Sequence, residues 1–333
     1  MHSSLTPNTP VVSDSSATAE TRIVPDIPRA RKKNFWRIAW NQRYLYLMSI
    51  PFVLWLFLFN YVPIWGWIMA FQNFKPGRSI FAQKWVGLKN FIELFSDERF
   101  YQVMRNTIVM SLMGLIVGFT IPILFAILLN EMQTKWYKRT AQTVSYLPHF
   151  ISWVVAAGII TQMLSNDGVI NQILTSMHLV DKPVQFLTKG GLFWFIVTAA
   201  DMWKETGWNA IIFLAAISGI DPEIYQAAYV DGANRFRRIW HVTLPGIRPT
   251  IVILLIMSIG NLIRIGFEKQ FLLGNSLVLD YSEVLDLYVI NYGINLMRFS
   301  FGTAIGVFNS IVSIILLVTS NRLFKKITGE SVY

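Results

Sequence analysis

Asp201 and Glu205 stand four residues apart inside an otherwise apolar stretch, residues 190–220, with Trp194, Thr198 and Trp208 at matching intervals. Steps of four and three residues put all five on one stripe of a helix. Ionisable groups in such a stretch face a cavity or a partner helix when the stretch crosses a bilayer. Indole faces cover the C–H surface of a sugar ring and carboxylates accept its hydroxyls, so the stripe suits a saccharide route. Two bland readings stand beside it: Asp201 pairing with Lys204 three residues on, and the tryptophans marking a membrane interface. Glycosidic hydrolysis is excluded, because carboxylates on adjacent turns of one helix do not flank a scissile bond from opposite sides. His149 belongs to a set of only four histidines with no cysteine, so no metal site is expected. Arg264 and Glu268, one turn apart, are expected to pair at an outer rim.

A second stretch, AAYVDGANRFRRIWHVTLPG at residues 227–246, puts four charges between long apolar runs. Just before it, Asp221 suits a helix N-cap, Pro222 the first helical position and Glu223 the first turn. This spacing predicts a short helix through Ala227 and Ala228, broken near Asp231 and Gly232. A basic helix over 235–240 should follow and stop before Pro245, leaving a compact knob. Connections that only connect tend to be shorter and lack such punctuation.

The elements that must hold these residues are membrane spans. Of 333 residues 53% are hydrophobic and 14% charged, and the mean hydropathy is +0.45. That is too apolar for an ordinary soluble chain. About 20 apolar residues cross the hydrocarbon core. Six stretches qualify or nearly do: 44–71, 106–130, 140–166, 190–220, 249–267 and 299–321. No alternating pattern supports a barrel. The predicted class is an all-α polytopic membrane protein with six transmembrane helices.

With the N-terminus inside, the cytoplasmic segments carry 17 Lys and Arg and the outer segments 10, so both termini are expected in the cytoplasm. That bias accounts for most of the net charge of +10 without a nucleic-acid partner. Residues 1–34 read as a disordered cytoplasmic tail, and they lack the apolar core of a signal peptide. The basic run at 29–37 reads as an anchor before the first span. Residues 85–95 are amphipathic and are expected along the outer membrane surface. A single permease domain, 35–333, then carries the polar knob at 221–246. No Gly-x-x-x-x-Gly-Lys-Ser/Thr stretch occurs, so no Walker-type nucleotide loop is expected.

The stretch QAAYVDGANRFRRIWHVTLPGIRP, residues 226–249, resembles the signature of binding-protein-dependent ABC importer permeases. Matching positions are Ala227, Ala228, Asp231, Gly232, Ala233, Ile239, Leu244, Pro245 and Pro249, while Gln226 stands where the family has Glu. The run NYVPIWGWIMAFQNFKP at 60–76, followed by WVGLKNF, and FGTAIGVFNSIVSIILL near the end are similar to sugar-type permeases of the polysaccharide and alginate branch. The resemblance covers nearly everything after residue 40. It implies a type I importer permease fold in a bacterial cell membrane. The implied partners are a second, homologous permease subunit, two ATPase subunits, an external solute-binding protein, a saccharide and membrane lipid. ATP and Mg would bind the ATPase subunits, with no cofactor on this chain. By the same resemblance Gln226, Ala227, Ala228, Asp231, Gly232, Ala233, Leu244 and Pro245 dock the ATPase and residues 165–186 face the binding protein, while the stripe of Trp194, Asp201, Glu205 and Trp208 is the expected lining of the route. Lys75, Arg78, Lys84 and Lys89 on the outside suit an acidic, alginate-like glycan, and equally lipid headgroups or the binding protein. A secondary transporter is the remaining alternative, and it would call for repeated broken helices that the sequence does not display.

Overall fold

A computed structural model describes residue 40 and residues 42–328. The expected tail, 1–34, and the basic run at 29–37 lie outside the described residues. Residues up to Tyr61 form one unit and Val62–Tyr333 another. In the first unit, α1 (Arg43–Leu56) runs on into a π turn at Phe57–Tyr61 with no buried side chain. Trp55 and Phe59 pair along it, ring centroids 5.6 Å apart.

The second unit is helical except for a two-residue ribbon, in which β1 (Gln72–Asn73) runs antiparallel to β2 (Lys84–Trp85). Asn90 of the WVGLKNF stretch holds this corner by donating to the Ala70 and Gln72 carbonyls at 2.8 and 3.2 Å. Next comes α2 (Lys89–Ser96), whose Leu94 is fully buried with Phe301 and Ile305. Leu94 and, in part, Phe91 of the amphipathic 85–95 stretch face protein, while Trp85, Leu88, Ile92 and Phe95 stay exposed and leave an apolar face outward.

The long helix α3 (Glu98–Glu131) starts eight residues before the expected span because the Asp97 side chain accepts from Arg99 N at 2.9 Å. Then α4 (Lys135–Tyr146) passes through a 3-10 turn, Leu147–Phe150, into α5 (Trp153–Met163), bending by 104° at the break. The expected third span is therefore broken in its middle. After it, α6 (Val169–Ser176) lies in a loop organised by Asn171, which donates to Ser165 O and Val184 O and accepts from Val184 N at 2.8–3.0 Å. The stretch expected as the fourth span is α7 (Gly190–Ser218), and α8 (Pro222–Val230) leaves it at 72°.

Beyond α9 (Arg235–Arg238) the chain does not stop before Pro245 as expected. It continues through a π turn, Ile239–Thr243, into α10 (Leu244–Gly260). Proline lacks an N–H and crowds the preceding turn, and a widened turn upstream accommodates both defects. Helix α10 ends at Gly260, so Arg264 lies in the loop beyond it and not within a span. Three short helices, α11 (Glu268–Leu273), α12 (Leu279–Ser282) and α13 (Leu285–Tyr288), precede α14 (Phe299–Thr328). Arg99 fastens this outer cluster to α3 through Asp280 at 2.5 Å and Glu283 at 2.8 Å.

By length and composition four helices could cross a membrane, or up to six if each bent pair is one span. Two apolar layers sit between α3 and α7. Met110, Phe193 and Val197 belong to one, and Ala126, Phe213 and Ile217 to the other.

Candidate functional site

Between these layers lies a cavity of roughly 330 Å³, walled by α3, α7, α10 and α11. Asp201 and Glu205 line it. Trp194 and Trp208 do not. A stripe of period 3.5 drifts about 20° every seven residues around a 3.6-residue helix, and local partners take both rings away. Trp194 donates its indole N–H to Tyr281 O at 2.9 Å and lies under the Arg105 guanidinium, 5.6 Å from its ring. Trp208 stacks on His149, with centroids 4.3 Å apart and ring planes 2° from parallel. Thr198, Thr206 and Asn209 fill the cavity face of α7 instead. Asn209, four residues after Glu205, was readable from that spacing.

Asp201 does not pair with Lys204. Its carboxylate accepts from Lys269 of α11 at 2.6 Å. Lys204, only 6% exposed, turns to the broken span, donating to His149 O at 2.8 Å and to Glu205 at 3.1 Å. Glu205 also meets His149 Nδ1 at 2.7 Å. The two ammonium groups flank Trp153, Lys204 at 5.5 Å and Lys269 at 5.9 Å from its ring. A chain of charge thus runs from His149 through Glu205, Lys204, the Trp153 face and Lys269 to Asp201.

The break between α4 and α5, within the stretch expected as the third span, explains the arrangement. A helix interrupted inside a bilayer leaves carbonyls unpaired unless protein reaches them. Lys204 satisfies one, and Ser152 caps α5 by accepting from Val155 N. Lys204→Met therefore leaves the His149 carbonyl unsatisfied and Glu205 short of its cation. Removing one partner of a buried pair costs about 3–5 kcal/mol. The midpoint of thermal unfolding in detergent should drop clearly, with Lys204→Arg losing less. An unchanged midpoint would rule out the clamp.

Arg264 does not pair with Glu268 either. It donates to Ser310 of α14 at 2.6 Å. Nearby, burial pushes the Asp286 carboxyl above the usual carboxylate range, opposed by the Gly266 N–H and the Arg264 guanidinium.

The second site is the polar knob. Asp221 accepts from Glu223 N at 2.9 Å, starting α8. At its end Gly232 adopts φ +74°, with Gly232 N bonded to Tyr229 O at 3.1 Å and Ala233 N to Ala228 O at 2.9 Å. This pair of bonds around a left-handed residue is the Schellman motif, which favours glycine there. Asn234 then caps α9 through Arg237 N at 2.9 Å. Tyr225 reaches Thr243 at 3.0 Å, pinning α8 to the π turn. Gln226, Ala227, Asp231, Gly232 and Pro245 are exposed, while Ala228, Ala233 and Leu244 are partly covered. Tyr229, Val230 and Phe236 project 72%, 83% and 73% exposed, a large apolar area on an otherwise polar knob.

The family described as binding-protein-dependent transport system inner membrane component matches residues 118–327. The chain is 41% identical over 294 residues to the polygalacturonan/rhamnogalacturonan transport system permease protein YteP of Bacillus subtilis (strain 168), covering 88% of this chain and 91% of that one. Against the arabinooligosaccharides transport system permease protein AraP of the same organism, identity is 30% over 317 residues, 93% of this chain and 98% of that one. A chain in the crystal structure of a bacterial alginate ABC transporter in complex with an alginate pentasaccharide-bound periplasmic protein superposes with a TM-score of 0.83. Its identity to this chain is 35%, with coverage of 90% here and 100% there.

Proposed function

Because this chain belongs to the binding-protein-dependent transport system inner membrane component family, the permeases of sugar-type ABC importers, we propose that it carries oligo- or polysaccharides inward, driven by ATP hydrolysed on separate subunits. The observation that carries this reading is the single helix α7. It lines the cavity with Asp201 and Glu205, and after Ser218 the chain bends by 72° into the exposed knob. In this reading a displacement of the knob acts through the turn at 219–221 on α7, which is one continuous helix from there to the cavity wall.

In this proposal the chain has six spans in the type I arrangement, with α4 and α5 together counted as one span, α7 alone as another, and both termini in the cytoplasm. Residues 221–246 form the coupling segment. Gln226–Ala233, with Leu244 and Pro245, dock one of two ATPase subunits. Tyr229, Val230 and Phe236 supply the apolar contact, and Gln226 offers an amide where a carboxylate is usual in the family. A second, homologous permease closes the cavity, and the 165–186 loop receives a solute-binding protein. Asp201 and Glu205 form part of the route. An acidic glycan is a second reading, favoured by the names of two similar proteins and by the outward lysines and arginine at 75, 78, 84 and 89.

Gly118 on α3 tests the route. It lines the cavity, and a Cβ there meets nothing within 4 Å. A Cβ there is accommodated, and Gly118→Trp projects an indole from it into the space. Uptake by proteoliposomes holding the whole importer should fall by at least about tenfold, roughly 1.4 kcal/mol on the barrier. Assembly and basal ATP hydrolysis should persist. Undiminished uptake would remove the cavity from the route.

A further inference from the structure

We infer that the cavity wall of this chain takes uncharged glycan units and excludes uronates. The inference rests on the reading of the cavity as the substrate route and goes on to name the class of substrate it fits. Three ionisable residues line the cavity, Asp201, Glu205 and Lys269. Each is already compensated: Asp201 and Lys269 by one another at 2.6 Å, Glu205 by Lys204 at 3.1 Å and His149 at 2.7 Å. The wall's one cation is spoken for, and its carboxylates outnumber it.

A uronate carboxylate entering this space gains a cation only by sharing Lys269 with Asp201, two carboxylates on one ammonium, or by displacing Asp201 from it. Displacement would leave Asp201 unpaired in a partly buried site, and an uncompensated buried charge is costly. A hydroxyl meets no such obstacle. Thr206 and Asn209 on α7 and Ser258 on α10 line the same wall half-buried, and among the described residues none of these side chains has a hydrogen-bond partner. They offer donors and acceptors that neutral sugar hydroxyls satisfy in both directions, which a carboxylate, accepting only, does not. Phe119, Leu115 and Ile265 supply the apolar remainder for the C–H faces of the ring.

The outward basic residues at 75, 78, 84 and 89 do not offset this, since none of them lines the cavity. On this wall the names of the polygalacturonan and alginate importers do not predict the preferred substrate.

The test uses the complete importer in proteoliposomes, supplied with saturating amounts of its loaded solute-binding protein so that capture does not limit the rate. Uptake is compared for labelled arabino-, xylo- and galacto-oligosaccharides, oligogalacturonate, alginate oligosaccharides, and oligogalacturonate with its carboxyls methyl-esterified. The last keeps the sugar backbone of its parent and replaces each carboxylate with an uncharged ester one methyl larger. At least one uncharged compound should enter about tenfold faster than any acidic one, and esterification should speed oligogalacturonate by a similar factor. Equal or faster entry of an acidic compound overturns the inference, and so does entry of none. Ser258→Lys places an unpaired cation on the wall and should move the neutral-to-acidic ratio about tenfold toward the acid; an unmoved ratio counts against this wall as the selector. Gly118→Trp separates the two levels. If it blocks uptake while acidic compounds pass the unaltered protein freely, the route stands and only the substrate class falls. If it blocks nothing, both fall.

Discussion

Replacing Gly232 with proline is expected to abolish transport and transport-linked ATP hydrolysis while leaving membrane insertion intact. Gly232 sits at φ +74°, and proline is confined near −65°. The substitution also removes the N–H that bonds Tyr229 O at 3.1 Å, and it dislodges the neighbouring bond from Ala233 N to Ala228 O. Both bonds that close α8 are then lost, and the exposed Tyr229 and Val230 are no longer presented at a fixed angle to Phe236. A strained backbone position with a lost hydrogen bond costs about 3 kcal/mol, near a hundredfold in coupling if the docked geometry must be restored for each cycle. Insertion depends on the apolar spans, which the change does not touch. Uptake and ATP hydrolysis measured in the same proteoliposomes check this, with Gly232→Asn as the tolerant control because asparagine visits the left-handed region. Coupled hydrolysis surviving in the proline variant would detach the knob from the ATPase.

That knob was legible in the sequence because its determinants are local. An N-cap, a first-turn proline and a glycine past the last turn act on neighbours, and α8 ends at Val230 beside the expected break at Asp231 and Gly232. The helix after it was misjudged at Pro245, since a π turn can absorb a proline that a strict helix would reject. The cavity was half legible. An apolar helix with two carboxylates pointed to a helix that lines the cavity, yet the pairing weighed for Asp201, with Lys204, is not the one formed, and no partner was read for Glu205. Asp201 meets Lys269, 68 residues away, and Glu205 meets His149, 56 residues away. Near-neighbour spacing along a helix is silent about partners brought in by tertiary packing. The bend between α4 and α5 was illegible for the same reason. Residues 147–152 contain one proline and no glycine, and what holds the break open is Lys204 on another helix.

Gly207→Ala, the smallest possible enlargement, is expected to destabilise the protein as severely as removing the clamp itself. Gly207 lies where α4 crosses α7, and a Cβ there would stand 2.1 Å from Ser145 O and 2.4 Å from Ser145 C. Neither is a side chain that can rotate away, so α4 must retreat by about 1 Å to reach ordinary contact. Its retreat carries the 147–150 turn with it. The Lys204 bond to His149 O, the Glu205 contact with His149 and the parallel stack of His149 on Trp208 all bridge the same two segments. One methyl group thus loosens three interactions together, and overpacking that moves a backbone costs about 3 kcal/mol or more. Gly118→Ala provides the opposite sign on the same substitution: with nothing within 4 Å of its Cβ, it should gain up to about 1 kcal/mol from helix propensity. Thermal unfolding of the purified protein distinguishes the two. The double variant Lys204→Met with Gly207→Ala should cost scarcely more than the larger single change, because both act through one contact set. Fully additive losses, or a Gly207→Ala protein as stable as Gly118→Ala, would show that α4 and α7 are not joined at this crossing and that the bend has another support.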